Sequence, residues 1–184
     1  MKIKSFFYIA FSILISFNSL AQNKERKFKI HTLAFYNLEN LFDTINDVNK
    51  NDEASPIMEI KFNRGNIYKQ KVTNMARVIS EIGYDVTNRP PTIIGICEVE
   101  NRNVVEDLIA NEKLSKYNYG IVHYDSPDRR GIDVGLLYNK DIFKVINSNS
   151  HVLYINYNNT SDRSFTRDQL VVSGKLDGEL IHLI

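Results

Sequence analysis

Two carboxylates two residues apart close an apolar stretch of the chain. Glu98 and Glu100 stand at the end of residues 92–98, and the sequence TIIGICE there predicts a strand buried on both faces. Alternation along a strand would place both carboxylates on one face, and ligands bind outside the carboxyl ends of strands in α/β sheets. A carboxylate leaving an apolar strand is costly unless it is paired or holds a cation such as Mg²⁺ or Ca²⁺. The spacing equally fits a Glu98 that ends the strand in solvent or caps the following helix.

A second predicted strand ends in an amide and a carboxylate. Residues 29–37 are rich in β-branched and aromatic side chains and predict a strand. Asn37 and Glu39 follow at its end, within the sequence FYNLEN. On their own these two residues fit a turn as well as a pair of ligands.

Other familiar catalytic patterns are absent from the sequence. It has no GxSxG, P-loop, HExxH or GxGxxG motif, which excludes the common serine-hydrolase, nucleotide-binding and zinc-protease signatures. The single cysteine, Cys97, excludes an internal disulfide and is expected to be a small buried hydrophobe. Four histidines show no metal-ligand spacing and are expected to be structural or surface residues: His31, His123, His151 and His182. Of these, His123 ends a predicted strand beside the loop 125–131.

Two helices are predicted to position the strand ends. Apolar residues at 68, 72, 75, 79 and 82 predict a helix over 67–82 that Gly83 ends. A second helix is predicted over 101–114, with Asn101 or Asn103 as its N-cap. A polar loop is predicted over 43–56.

The rest of the chain predicts strands. They cover residues 117–124, 132–138, 143–147, 152–157, 168–176 and 179–184, with an Asp177-Gly178 hairpin turn between the last two. The order of strand, helix, strand, helix and then several antiparallel strands favours an α/β fold with a mixed sheet, or two packed sheets with helices outside.

The first 21 residues have the layout of a secretory signal peptide. Lys2 and Lys4 precede an apolar run over 6–17, and Ser19-Leu20-Ala21 fits a cleavage site. The run is short for a membrane span of about 20 residues, although a membrane anchor is the alternative. We therefore expect an exported protein, periplasmic or extracellular, with no membrane anchor after cleavage. Residues 22–184 carry 21 basic and 22 acidic side chains, so nucleic-acid contact would need local arginines or a metal.

Four sequence blocks carry a resemblance to a known family. They are FYNLENLFD (35–43), IIGICEVEN (93–101), RGIDVGLLYN (130–139) and SFTRDQLVVSG (164–174). In this order they resemble the endonuclease/exonuclease/phosphatase (DNase I-like) family, in the form of predicted bacterial extracellular nucleases. The resemblance implies a four-layer α-β-β-α sandwich, of which the chain would be roughly the N-terminal half.

The resemblance also implies roles for individual residues. Glu98 would be the main metal ligand and Glu39 an auxiliary acidic ligand. Asn37 would orient the scissile phosphate, and Arg167 would contact it with two parallel donors. The expected ion is Mg²⁺, with Mn²⁺ or Ca²⁺ as alternatives.

The third block adds Asp133 as a catalytic candidate and Arg130, which is either a phosphate contact or a solvated loop charge. The later motifs of the family, which include a strand-end His and a final Asp-His pair that works on the attacking water, do not occur in these 184 residues, and His182 is not expected to replace them. We therefore expect residues 22–184 to be an incomplete domain, inactive alone and with apolar surface exposed.

The resemblance implies a metal-dependent phosphodiester hydrolase, most simply a secreted nuclease acting on DNA without a stable protein partner. A phosphatase or phospholipid phosphodiesterase on the same fold is one alternative, since a fold does not fix its substrate. A secreted binding module without catalysis is the other.

Overall fold

The computed structural model describes residues 28–48 and 50–184. Residues 31–184 form one compact unit. The signal peptide predicted over 1–21 lies outside the described residues. Within residues 28–48 and 50–184, no helix has the length and apolar character needed to cross a membrane.

The first sheet contains four strands in the order β1-β2-β4-β3. The strands are β1 (Leu33–Leu41), β2 (Ile93–Val99), β3 (Tyr119–His123) and β4 (Asp133–Asn139). Strands β1 and β2 are parallel, whereas β4 pairs antiparallel with both β2 and β3. Side chains on both faces of β2 are buried, as its continuous apolar sequence predicts.

Helices cover one face of this sheet. They are α1 (Pro56–Glu59), α2 (Arg64–Glu81), α3 (Tyr84–Thr87) and α4 (Arg102–Ala110), with short 3₁₀ turns at Asp52–Ala54 and Ser115–Tyr117. Helix α2 falls where the 3.6-residue periodicity predicts it, whereas α4 ends at Ala110 rather than at 114, because residues 111–114 form a turn. Both helices share one core cluster with Ile94 and Ile96 of β2. The backbone N–H of Val104 donates to Asn101 Oδ1 at 3.1 Å, which confirms Asn101 as the N-cap of α4.

The second sheet packs on the other face of the first. It contains β5 (Phe143–His151), β8 (Gln169–Leu176) and β9 (Glu179–Leu183), all antiparallel, in the order β5-β8-β9. A two-residue pair, β6 (Ile155–Asn156) and β7 (Arg163–Ser164), lies between β5 and β8 in sequence. Phe143 and Val172 of this sheet form a core with Ile93, Val122 and Leu136 of the first. Gly174 makes room for that core, because a Cβ there would clash with the ring of Phe143.

These layers confirm the predicted α/β class with two packed sheets and outer helices. The described residues form a helical layer, the first sheet and the second sheet, and none of them forms an α-helix after α4. An apolar cleft opens between the sheets beside β1, where the side chain of Phe35 is 73% exposed. The Asp177-Gly178 hairpin is confirmed, with both residues at positive φ.

Three predicted strand boundaries are wrong. Strand β1 starts at Leu33, not at 29, and runs on to Leu41. Strand β5 continues to His151 rather than ending at 147, because its polar outer residues still pair with β8 beyond a register shift between Val145 and Asn147. In residues 152–157 only Ile155–Asn156 pairs, and it does so within its own hairpin.

Candidate active site

Glu98 occupies a β-bulge at the end of β2. Cys97 pairs with Val134 of β4 and Val99 pairs with the next residue, Asp133, so Glu98 is an extra residue in the ladder. The bulge changes the alternation, and Val99 returns to the helix-side core that already holds Ile96. The prediction that alternation places Glu98 and Glu100 on one face is therefore wrong.

The backbone at the predicted metal ligands adopts an unfavourable conformation. Eight non-glycine residues in the described chain have positive φ, and six of them are Asn or Asp, which tolerate it. The two others are Glu39 (φ 49°) and Glu98 (φ 61°). Such a residue costs about 1–3 kcal/mol, and this strain concentrates at functional sites. Strain thus marks the two glutamates that the sequence indicates.

Hydrogen bonds join the ends of β1 and β2. The backbone N–H of Asn40, itself at φ 57°, donates to Glu98 Oε2 at 3.2 Å. The backbone N–H of Glu39 donates to Asn37 Oδ1 at 2.7 Å, and Asn37 pairs with Cys97 across the strands. Asn37, Glu39 and Glu98 are therefore brought to one place at the carboxyl ends of two adjacent parallel strands.

Lys71 of α2 holds the turn at the end of β1 from the helical side. Its Nζ donates to the carbonyl oxygens of Glu39 (2.5 Å) and Asn40 (2.9 Å). Burial lowers the pKa of Lys71, while the charges of Glu39 and Glu98 act in the opposite direction. The strained turn is thus fixed by a side chain from a rigid helix.

The donor set at these strand ends fits a divalent cation. Glu98 accepts one hydrogen bond through Oε2, and among the described residues its Oε1 and the carboxylate of Glu39 have no hydrogen-bond or ion-pair partner. Two carboxylates and an amide oxygen are the ligand types that Mg²⁺, Mn²⁺ and Ca²⁺ prefer. A cation held by Glu98 and Glu39, with Asn37 beside it, would compensate the cost of gathering these oxygens.

Arg167 precedes β8 and approaches the same place. Its Nη1 donates to Asp128 Oδ2 at 3.3 Å, and Asp128 is only 6% exposed. The pKa of the Cys97 thiol is raised mainly by burial and further by Glu98, and the charge of Arg167 opposes that rise. The charges of Glu98 and Arg167 therefore both affect the pKa of this thiol, which places Arg167 near Glu98.

Cys97 is half-buried, less than expected of a fully buried hydrophobe, and its raised pKa keeps the thiol protonated at neutral pH.

Arg130 lies on the other side of Asp128. Its backbone N–H donates to Asp128 Oδ1 at 2.9 Å and its Nε lies 3.5 Å from the same oxygen, while 57% of the side chain is exposed. Asp128 therefore orients two arginines, of which Arg167 is the less exposed. Among the described residues, no hydrogen bond is made by Nη2 of Arg167 or by either Nη atom of Arg130.

Asp133 lies below the surface at the start of β4. Its Oδ1 accepts hydrogen bonds from the backbone N–H (2.8 Å) and hydroxyl (2.6 Å) of Ser126, and its Oδ2 lies 3.2 Å from His123 Nε2. These contacts fasten the loop between β3 and β4, so the geometry favours a positioning role for Asp133. Sequence reasoning singled out His123 beside that loop but did not connect it with Asp133.

His123, Asp125 and Asp133 form a cluster whose composition is compatible with a divalent ion. Lys50 already brings a positive charge to it, because its Nζ lies 3.4 Å from Asp125 Oδ1 and 3.7 Å from Asp133 Oδ2. The same Nζ donates to the carbonyl oxygen of Glu100 at 2.9 Å. Lys50 therefore ties the loop before α1 to the ends of β2 and β4.

Glu100 is a structural carboxyl rather than a neighbour of Glu98 at the mouth of the sheet. It is 1% exposed, and its Oε2 accepts the backbone N–H of Asp43 at 2.7 Å. Burial raises the pKa of Glu100 to about 7, the charges of Asp43 and Asp52 add to the rise, and the Asp43 hydrogen bond and Lys50 oppose it. Glu100 thus takes up a proton on folding below neutral pH.

We expect the substitution Glu100→Gln to become progressively more favourable for the stability of the protein as pH rises above about 4.5. Because the folded pKa lies above the ordinary 4.5, the stabilisation from protonated Glu100 is complete below about pH 4.5 and is lost as pH rises through about 7. The free energy of unfolding of the variant, relative to the unmodified protein, should rise by about 2 kcal/mol between pH 5 and pH 8. Chemical denaturation with EDTA present measures this difference. Glu112→Gln, at an exposed site, is the control, and a difference independent of pH would contradict the assignment.

The family model for the endonuclease/exonuclease/phosphatase family matches residues 32–184, the range that holds the strand ends and Arg167. The chain belongs to the endonuclease/exonuclease/phosphatase family. Members of this family are hydrolases, generally metal-dependent. No curated protein matches the chain.

Several solved structures are similar to this family member. An endonuclease/exonuclease/phosphatase protein from Bacteroides vulgatus is 20% identical, with a TM-score of 0.47 over 81% of this chain and 48% of its own. A family protein from Bacteroides thetaiotaomicron is 14% identical, with a TM-score of 0.46 over 82% of this chain and 47% of its own. The mannosyl-6-phosphatase Bt3783 of B. thetaiotaomicron VPI-5482 is 15% identical, with a TM-score of 0.45 over 83% of this chain and 49% of its own. The chain thus spans about half the length of these structures.

Proposed function

We propose that the full-length protein is a divalent-metal-dependent phosphodiesterase of the nuclease type, with nucleic acid, and DNA in particular, as its substrate. The observation that carries this proposal is the pair of strained glutamates, Glu39 and Glu98, at adjacent parallel strand ends joined by the Asn40–Glu98 hydrogen bond. Local arginines rather than net charge would attract the phosphates, since residues 22–184 are nearly neutral.

In this proposal each candidate residue has a separate role. Glu98 and Glu39 hold the cation, which when bound supplies Lewis-acid stabilisation of charge on the leaving oxygen. Asn37 orients the scissile phosphate beside them. Arg167 donates to the phosphoryl oxygens, where charge develops, and Asp128 fixes its guanidinium for that purpose. Arg130 is a second phosphate contact on the same anchor, and Asp133 positions the loop that carries it.

We assign the activation of water to the half of the family domain that the similar structures have beyond the share matched here. The apolar cleft beside β1 and Phe35 is the surface that we expect this half to cover. Accordingly, residues 22–184 are proposed to be the N-terminal part of the domain and inactive alone. We also propose that the protein is exported after removal of residues 1–21 and acts without a stable protein partner.

A phosphatase or phospholipid phosphodiesterase is the second candidate, and the near-neutral charge of residues 22–184 favours it because no net positive charge draws in a polyanion. The same metal site would serve a small phosphoester.

Comparing substrates with the full-length protein tests the assignment. Single-stranded DNA, duplex DNA, RNA, phosphatidylcholine vesicles and a sugar phosphate are each offered with Mg²⁺, Mn²⁺ or Ca²⁺. We expect the highest kcat/KM on nucleic acid, and loss of activity in EDTA that Mg²⁺ restores. Preferred release of the lipid headgroup or of inorganic phosphate would instead establish the second candidate, and activity that survives EDTA would refute the metal site.

A further inference from the structure

A short hairpin beside the candidate active site combines arginine with exposed aromatic rings. The aromatic hairpin, residues 152–166, connects β5 to β8 and contains β6 and β7. Within it the Arg163 guanidinium lies 4.4 Å from the centroid of the Tyr154 ring and 4.6 Å from that of the Phe165 ring. These contacts order the hairpin, which has only two residues in each strand.

The rings are presented to solvent. Tyr154 is 75% exposed although Arg163 contacts its ring, and Phe165 and Tyr157 are each 41% exposed. Exposed aromatic side chains grouped in this way are uncommon on a surface with no binding role. One ring face of Tyr154 is therefore available to a planar ligand.

Arg163 has no anionic partner among the described residues. Its Nε and Nη2 are buried without a hydrogen-bond partner. A guanidinium held by rings and lacking a carboxylate keeps a positive charge that no neighbouring anion compensates. The hairpin therefore offers a flat apolar surface beside an uncompensated positive charge.

The hairpin is joined to the arginines of the site. The Arg129 guanidinium lies 5.4 Å from the centroid of the Tyr157 ring. The preceding residue, Asp128, pairs with Arg167, which follows the hairpin directly in sequence. A strand of alternating phosphates and flat bases could thus run from the hairpin to Arg167.

We propose that the aromatic hairpin binds unpaired bases of single-stranded nucleic acid, with Tyr154 as the stacking surface, Arg129 contacting a phosphate and the uncompensated charge of Arg163 attracting the strand. The inference rests on the proposed function, since it names the substrate class of the same site. Stacking on an exposed ring requires a base released from pairing, and it tolerates any base because each has a flat π-face. A small phosphoester has no base and would leave the hairpin unused.

Binding to a base-bearing and a base-free strand tests this directly. The full-length protein is titrated into a fluorescent deoxythymidylate decamer, and into an abasic decamer with the same phosphates, in EDTA so that nothing is cleaved. We expect the thymidylate to bind at least about 5-fold more tightly than the abasic strand, and Tyr154→Ala to weaken thymidylate binding by about 5- to 50-fold. Tyr154→Phe keeps the ring and should retain the affinity.

Control measurements separate the outcomes. Tyr84→Ala removes a tyrosine that is 44% exposed on α3 and should bind as the unmodified protein does. Unchanged unfolding temperature establishes that Tyr154→Ala is folded. Equal affinity for both strands, or full affinity in Tyr154→Ala, would overturn the proposal, as would Tyr154-dependent binding to phosphatidylglycerol vesicles without strand binding. The binding assay does not depend on cleavage. If the protein bound strands in a base-dependent way but hydrolysed no phosphodiester, the proposed hydrolytic function would be rejected and the proposed base-binding role of the hairpin would stand.

Discussion

Substitution of Glu98 by alanine in the full-length protein is expected to lower kcat/KM for phosphodiester hydrolysis by about 10³-fold or more, because it removes the main ligand of the cation that stabilises the leaving oxygen. Isothermal titration with Mg²⁺ should show a parallel loss of affinity. Glu98→Gln distinguishes ligand from structure, because its amide oxygen could still accept the Asn40 N–H but carries no charge. We expect Glu98→Gln to fold normally and to lose most of the activity.

The matched control is Glu112→Ala, which removes an exposed glutamate after α4 and should leave kcat/KM unchanged. If hydrolysis by Glu98→Ala stayed within a few-fold of the unmodified protein, the metal assignment would be wrong. Loss of activity together with a large fall in unfolding temperature would show instead that Glu98 acts by stabilising the β-bulge.

Substitution of Arg167 by lysine is expected to have the second large effect on catalysis. Lysine keeps the positive charge beside Asp128 but lacks the planar fork that offers two parallel donors to a phosphoryl group. We expect kcat to fall by about 10²-fold with a smaller change in KM, because the donors act mainly where charge develops. Steady-state kinetics on a phosphodiester substrate measures both parameters.

Arg77→Lys is the control, since Arg77 is exposed on α2 and forms an ion pair with Glu81 one turn away. A reduction confined to KM would assign Arg167 to binding of the ground state alone. Unchanged kinetics would remove it from the site.

The parts of the fold that sequence predicts well are those with strong periodicity. Helices α2 and α4 and the Asp177-Gly178 hairpin follow from apolar spacing and turn chemistry, which act locally. Strand β5 was predicted too short because its residues after Val145 are mostly polar, and only pairing with β8 keeps them extended. Strand pairing between residues far apart in the sequence cannot be predicted from a local sequence pattern.

The candidate site was predictable as a set of residues but not as a geometry. Resemblance indicated Asn37, Glu39 and Glu98, and the ends of two parallel strands bring them together. Strict alternation failed for Glu98 and Glu100, because a bulge is a property of the paired strands rather than of one sequence. The role of Asp128 as the anchor of two arginines also needed the structure, since Asp128 and Arg167 lie 39 residues apart.

The left-handed backbone at Glu98 has a consequence for how this sequence could change over time. Glycine is the residue that such a backbone favours, so selection for stability alone would drift position 98 toward glycine. Keeping a glutamate there sets a trade-off in which a more robust fold is one substitution away and is reached only by giving up the carboxylate. A stabilised variant found by screening for solubility or heat resistance should therefore be checked first at this position.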